Sequence, residues 1–429
     1  MKPRPVERAV LLAYSALLYL LLPAQLLRLW WRGRRLPGYR QRWRERLALA
    51  GPLPLQPRIW LHAVSVGETL AAAPLVRALL EDHPGHRLLV TTTTPTGSAQ
   101  VQRLFGERVE HRYFPYDLPD VVARFLRHVR PRLFVVMETE LWPNCFRQCA
   151  RQGIPVLVVN ARLSPRSFAG YRRLRPLLAP TLRSVDTIAA QTQDDADRFL
   201  CLGAPHRRVT VLGNLKFDLD LPPATVAAGR ALRQALGAQR PVWIAASTHP
   251  DEEAVMLAAH RSLRARRPEA LLILVPRHPE RFDGVARLCA DQGLPAARRS
   301  RDEPVGPDTA VYLGDTMGEL LMLYGAADVA VVGGSFVPVG GHNPLEPAAH
   351  ALPVITGPHI ANFRDIYGSL FRQRAALTVR DAGQLAARLA ELLDDAARRE
   401  ALGRRARALL DAHRGTRDRL RQLIEQRLK

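Results

Sequence analysis

Three acids and one lysine in the first half of the chain are of types and spacing that could do chemistry. Glu68 follows Gly67 in HAVSVGETLAA, Glu138 and Glu140 close the apolar run in METELWPN, and Lys216 stands in GNLKFD. A carboxylate just past a strand can take the proton of an attacking hydroxyl. Equally, it can complement the dipole of a first helical turn, and the local sequence leaves both readings of Glu68 open. Alternation along the strand sends Glu138 and Glu140 to one face, either to cap the next helix and face a cleft or to sit as solvated charges. Lys216 is conspicuous because only three of 62 basic residues are lysine, and the other two are Lys2 and Lys429 at the chain ends. An ammonium is a compact point charge and a guanidinium a planar fork, so a lone lysine marks a site where shape or acidity matters. In the second half, Arg277 in VPRHPERF could hold a phosphate by two hydrogen bonds. Gly318 and Glu319 open a helix in GDTMGELLMLYGAAD, where small residues would let backbone N–H groups approach a phosphate and where a plain helix capped by Asp315 or Thr316 explains the pattern equally well. The stretch GGSFVPVGGHNPLEPAAH sets a glycine-rich loop before Asn343 and Pro344, which open a helix carrying Glu346. Such a loop can bind phosphate through backbone N–H groups, and a first-turn carboxylate can bind ribose hydroxyls.

Those residues need elements to position them. Short apolar runs recur from Arg58: RIWLHAV, RLLVTTT, RLFVVME, PVLVVNA, DTIAAQT and RVTVLGN. After LDLPPATVAAG, a linker or lead-in helix, they restart as PVWIAAS, ALLILVP, TAVYLGD, VAVVGGS and PVITGP. Helical stretches lie between them. Strand alternating with helix predicts parallel sheets covered on both faces, and therefore two doubly wound α/β domains. Ligands of such sheets bind beyond the carboxyl ends of the strands. The polar residues named above cluster just after the apolar runs, as that rule requires, so a cleft between facing domains is the expected binding place. The expected boundaries are 1–35 for an N-terminal anchor with a basic flank, 36–220 for a first Rossmann-like domain, and 221–429 for a second one with C-terminal helices.

The net charge of +22 and isoelectric point near 11 favour anionic partners. With 6% aromatic residues and no RNA-binding aromatic motif or zinc-finger spacing, nucleic acid is not expected. Cys145, Cys149, Cys201 and Cys289 form no CxxC pattern and read as free thiols, with no metal site. The 19 residues Ala9–Leu27 carry no charge. Lys2, Arg4 and Arg8 precede them, and Arg28, Arg32, Arg34, Arg35, Arg40, Arg42, Arg44 and Arg46 follow, with Trp30 and Trp31 at the edge. This pattern predicts a membrane-associated helix, spanning or dipping, with the heavier positive flank on the cytoplasmic side.

Taken in order, VSVGE, TTTTPTG, FPYDLP, ETELWPN, NARLS, GNLKFD, PRHPERF, GDTMGEL and GGHNPLEPAA resemble the 3-deoxy-D-manno-octulosonic acid (Kdo) transferases of lipopolysaccharide assembly. The resemblance implies a two-domain, GT-B type, inverting and metal-independent glycosyltransferase of the inner membrane's cytoplasmic face. It implies CMP-Kdo as donor and the phosphorylated lipid A precursor lipid IVA as acceptor, with no cofactor. By the same resemblance Glu68 is the general base, and Glu138 and Lys216 stabilise the transition state. The nucleotide is then held by Pro276 and Arg277, by Met317, Gly318 and Glu319, and by Asn343, Pro344, Leu345 and Glu346. The rival readings are a GT-B transferase or epimerase using a UDP-sugar, and a basic membrane-bound binding protein without catalysis.

Overall fold

The structure, a computed structural model, describes residues 5–34, 36–219 and 221–428. Lys2, Arg4, Arg35 and Lys429 lie outside the described residues. The chain divides into two compact units: residues 1–216 with 415–429, and residues 217–414.

The first unit is built on β1 (Arg58–His62), β2 (Arg87–Thr92), β3 (Glu110–Tyr113), β4 (Pro131–Met137), β5 (Val156–Ala161), β6 (Thr187–Ala190) and β7 (Val209–Val211). They pair in parallel in the order β3-β2-β1-β4-β5-β6-β7. The β1, β4 and β5 side chains are almost continuously buried because helices cover both faces. Helix Pro119–Val129 shows why such segments are helical. Proline occupies a first-turn position, and Val121, Val122, Phe125, Leu126 and Val129 line a single buried face at helical spacing. Under it, Trp60 stacks on Phe134 with centroids 3.6 Å apart, and burial of each such ring stabilises the unit by about 2–3 kcal/mol.

The second unit holds β8 (Val242–Thr248), β9 (Leu271–Pro276), β10 (Ala296–Arg298), β11 (Val311–Leu313), β12 (Val329–Val332), β13 (Val354–Thr356) and β14 (Ala376–Thr378). These are again parallel, in the order β10-β11-β9-β8-β12-β13-β14. In each sheet the strand order reverses at one place, β1/β4 in the first unit and β8/β12 in the second. Crevices for ligands open at such switch points.

Two doubly wound units are therefore present, as the sequence predicts. Three strands escaped the sequence reading: β3, β10 and β14. Each is a three- or four-residue strand at a sheet edge, where one face is solvated and the apolar run is interrupted. The segment after Asp220 forms helix Pro223–Leu236. The last helix, Thr416–Leu428, was assigned by its position to the second domain but packs on the first unit. Its Leu420 and Ile424 join the cluster around Ile59 and Leu61, and Arg421 clasps Asp82 through hydrogen bonds of 2.6 and 2.7 Å.

The N-terminal helix spans Pro5–Arg32 with Pro23 inside it. It belongs to the first unit but packs on its outside, with Ser15 as its one buried residue. Tyr14 donates to Asp117, Ser15 bonds Asn144, Tyr19 donates to Asp120, and Glu7 pairs with Arg183.

Candidate active site

At the first switch point, β1 ends at His62 and the chain turns through Ser65 into helix Val66–Asp82. Glu68 sits in its first turn, half-buried, and Oε2 accepts the N–H of Val64 at 2.8 Å. Burial pushes this carboxyl up to about 8, and the nearby charges of Glu138 and Glu140 add to the rise. The Val64 amide and the Ser65 hydroxyl only partly oppose it. Gly67 is exposed and absent from the positive-φ residues, and an added Cβ would meet only the Ser65 hydroxyl at 3.9 Å. The residue has ordinary helical backbone and makes no sharp turn.

β4 delivers the other acids. Glu138 leaves the strand with φ of +55°, a left-handed conformation uncommon for a residue with a Cβ, and its N–H donates to the Val159 carbonyl at 3.0 Å. This kink breaks the alternation assumed from sequence. Neither Glu138 nor Glu140 caps the following helix, Pro143–Arg151, whose N-cap is Trp142 with no side-chain bond. That duty falls to buried Asp117, which accepts the N–H groups of Asn144 (3.0 Å) and Cys145 (2.7 Å). Glu140 is pushed up to about 7 by burial and by Glu138. The β1/β4 crevice thus gathers three carboxyls, two of them with their proton affinity raised into the neutral range by burial and by one another.

Lys216 comes to the same rim by a return path. β7 lies at the sheet edge, but the chain after it runs back across the ends of β6 and β5. Leu212 N–H donates to the Ala190 carbonyl, and Leu215 N–H donates to Asn160 Oδ1, each at 3.0 Å. Asn214 donates to Gln191, which donates to the Asn160 carbonyl, both at 2.9 Å. Asn160 itself has φ of +53°, which asparagine tolerates. This amide network fixes the turn Leu215–Phe217 that carries Lys216.

The second unit is assembled differently. Pro276 ends β9, and Arg277 follows it, exposed, with its N–H on the Thr248 carbonyl at 2.9 Å. Beyond β12, Gly333 packs so close to β8 that a Cβ would fall 2.6 Å from the Ser247 carbonyl oxygen. The amides of this glycine-rich turn are not offered to a ligand. Glu252, fully buried, accepts Gly334 N–H (2.6 Å), Ser335 N–H (2.9 Å), Phe336 N–H (2.8 Å) and His249 N–H (2.9 Å). The expected backbone phosphate cradle at this turn is therefore corrected: a protein carboxylate fills it and ties the ends of β8 and β12 together.

Glu346 occupies the first turn of helix Leu345–Ala349 and takes a 3.3 Å bond from Asn343. Burial pushes its carboxyl up to about 7, opposed by Asn343 and by the charge of nearby Arg277. Pro344 is the N-cap, and Leu345 is wholly buried with its N–H on Asn343 Oδ1 at 3.1 Å. His342 stacks on His249 with Nε2 atoms 2.8 Å apart, and burial pushes it down to about 4. His278 meets His249 edge-on, with Arg277 near all three. Residues 276–277 and 343–346 thus converge around the β8/β12 crevice.

Met317, Gly318 and Glu319 stand farther along the row, after β11, with β9 between β11 and β8. Glu319 is held in place by Arg299, through bonds of 2.9 and 3.1 Å, and by Thr316 at 2.5 Å. The helix here starts at Leu320, and neither Asp315 nor Thr316 caps it. Asp315 instead holds Arg298 and Ser300. What this loop presents outward is Met317 and the open left-handed Gly318, with φ of +88°.

Among the described residues no group of three or more metal-ligating side chains occurs. What the two rims can do is distinct: one can exchange a proton, and the other can hold an anionic, hydroxylated ligand.

Residues 41–219 match the family described as 3-deoxy-D-manno-octulosonic-acid transferase, and residues 239–409 match the glycosyl transferases group 1. The chain is 43% identical to the 3-deoxy-D-manno-octulosonic acid transferase of Haemophilus influenzae over 91% of its own length and 92% of that protein's. It is 42% identical to the Bordetella pertussis protein of the same name over 96% and 98%. Among solved structures, Acinetobacter baumannii MurG shares the fold at 11% identity, with a TM-score of 0.54, covering 86% of this chain and 99% of that one. On these grounds the chain belongs to the 3-deoxy-D-manno-octulosonic acid transferase family, glycosyltransferases of the GT-B fold class acting in lipopolysaccharide synthesis.

Proposed function

We propose that the protein moves Kdo from CMP-Kdo to lipid IVA with inversion at the anomeric carbon, without a metal ion, on the cytoplasmic face of the inner membrane. An acceptor hydroxyl attacks the anomeric carbon as its bond to the CMP phosphate breaks, through an oxocarbenium-like state. The new bond joins acceptor oxygen to sugar, the hydroxyl proton goes to Glu68, and CMP leaves with the electron pair. Lys216 meets the developing negative charge, and Glu138 stabilises the cationic sugar. In the second unit Arg277 holds the phosphate and Glu346 the ribose hydroxyls. Pro276, Met317, Gly318, Glu319, Asn343, Pro344 and Leu345 shape that pocket, Asn343 by orienting Glu346. A donor with one phosphate gives little reason for a divalent ion.

The observation that carries this reading is the Glu68 carboxyl. It is held at the β1/β4 crevice by a single backbone donor, with its proton affinity raised toward that of a base working near neutral pH. The test is purified protein incubated with CMP-Kdo and lipid IVA, with products resolved by mass. The expected outcome is lipid heavier by Kdo together with free CMP. No Kdo adduct, or transfer only from a UDP-sugar, contradicts the reading.

A further inference from the structure

Helix Pro5–Arg32 has two faces. One, stepping through Glu7, Tyr14, Ser15, Leu18 and Leu22, meets the first unit. The other presents Leu12, Leu17, Leu20, Leu27 and Trp31, each more than half exposed, in a stretch whose residues 9–27 carry no charge. A helix of this length, about 42 Å, could cross a bilayer core of about 30 Å. Its contacts argue otherwise. Glu7 bonds Arg183, which lies before β6 at the amino rim of the sheet, and Tyr14 and Tyr19 bond Asp117 and Asp120 beyond β3 at the carboxyl rim. The helix therefore runs alongside the strands. To cross a membrane it would have to abandon these bonds or draw Asp117 and Asp120 into hydrocarbon.

At the Glu7 end a cavity of about 1240 Å³ opens among Arg8, Arg147, Arg151, Arg183, Arg207 and Arg208. Glu7 is the sole acid lining it, and it is engaged with Arg183 at 2.5 Å. Arg208 is spent on the Arg183 and Val185 carbonyls, both at 2.7 Å. Among the described residues no carboxylate comes within ion-pair distance of Arg8, Arg147, Arg151 or Arg207. Arg147 is pushed down by burial and by the charges of Arg151 and Arg8, a mark of cations gathered without a counterion. The groove sits at the amino rim, the opposite end of the sheet from Glu68 and Lys216, so it is not the transfer site.

We propose that the groove of Arg8, Arg147, Arg151 and Arg207 binds the phosphate-bearing headgroup of an anionic membrane lipid, and that helix Pro5–Arg32 lies along that leaflet, apolar face inward, instead of crossing it. A large apolar face with arginines at its end is the composition of an in-plane amphipathic anchor. The proposal rests on the membrane part of the reading above and is independent of the transfer chemistry.

Flotation of the full-length protein with vesicles tests the groove. Wild type is expected to bind phosphatidylcholine–phosphatidylglycerol vesicles well and phosphatidylcholine alone weakly. The triple variant Arg8→Gln/Arg151→Gln/Arg207→Gln, all exposed positions, is expected to bind the anionic vesicles about 100-fold more weakly. The control triple Arg388→Gln/Arg398→Gln/Arg404→Gln removes the same charge elsewhere and is expected to bind as wild type. Equal loss in both triples, or no loss in the first, overturns the headgroup site. Wild type that floats with neither vesicle overturns the membrane reading itself. The helix orientation is read in a Cys201→Ser background from Val6→Cys and Leu36→Cys with a membrane-impermeant maleimide. Both cysteines are expected to label in inverted vesicles and neither in sealed spheroplasts. Val6→Cys labelled from outside the spheroplast overturns the in-plane helix.

Discussion

The two switch points handle their carboxylates in opposite ways. In the second unit three strand-end acids are matched: Glu252 at the switch point by four backbone amides, and farther along the row Glu319 by Arg299 and Thr316 and Asp315 by Arg298 and Ser300. Arg299 holds Glu319 below the usual carboxylate range, and Ser300 with Arg298 does the same for Asp315 against its burial. Glu346 and Glu253 are the ones raised, both by burial. In the first unit Glu68 and Glu140 are raised together and share a crevice with Glu138. Matched acids make a rigid frame that binds, whereas crowded acids keep a proton affinity that can be used. The fold is the same on both sides, and the difference lies in what stands at the strand ends.

That contrast can be broken at several points. The largest expected effect is from Glu68→Gln, with kcat lowered about 10³-fold while protection of the second unit by CMP against heat stays as in wild type. A variant that loses CMP protection would show that the two rims do not divide the work. Next, Lys216→Met is expected to lower kcat by about 10²-fold or more. Lys216→Arg is not expected to restore it, because a planar fork does not replace a point charge. In the frame, Glu252→Gln leaves one oxygen to serve four amides. An unfolding loss of about 2–3 kcal/mol is expected, with weaker CMP protection and unchanged transfer pH dependence. A Glu252→Gln protein as stable as wild type would show that the amides find other partners. The smallest effect is expected from Glu140→Gln. Removing a negative neighbour lowers the Glu68 proton affinity, so the acid limb of kcat/KM should move to lower pH. Heat protection by CMP and not by UDP would further separate this chain from the UDP-sugar enzymes of its fold.

The placement of these residues at strand ends was legible in the sequence, because alternating strand and helix imply parallel sheets and the odd residues stood just after the apolar runs. Glu68, Glu138, Arg277, Glu346 and the lone Lys216 were all visible by type and position. What escaped depends on partners far along the chain. Glu252 in STHPDEE reads as a plain first-turn acid until Gly334–Phe336, more than eighty residues on, are folded over it. Asn160 looks like a strand-end polar residue, yet it anchors the turn of Lys216, 55 residues away in the case of Leu215. The arginine groove is assembled from four separate segments, none of which stands out in a chain with so many arginines.

The central claim is that Glu68 takes the acceptor's proton. The most direct measurement is the pH dependence of kcat/KM for Kdo transfer by wild type and Glu68→Gln. The account predicts a wild-type rate that rises as Glu68 ionises, with an acid limb near 8 in the free enzyme, and a low, flat profile in the variant. A Glu68→Gln protein that keeps the same limb, or transfers Kdo at the wild-type rate, would contradict it.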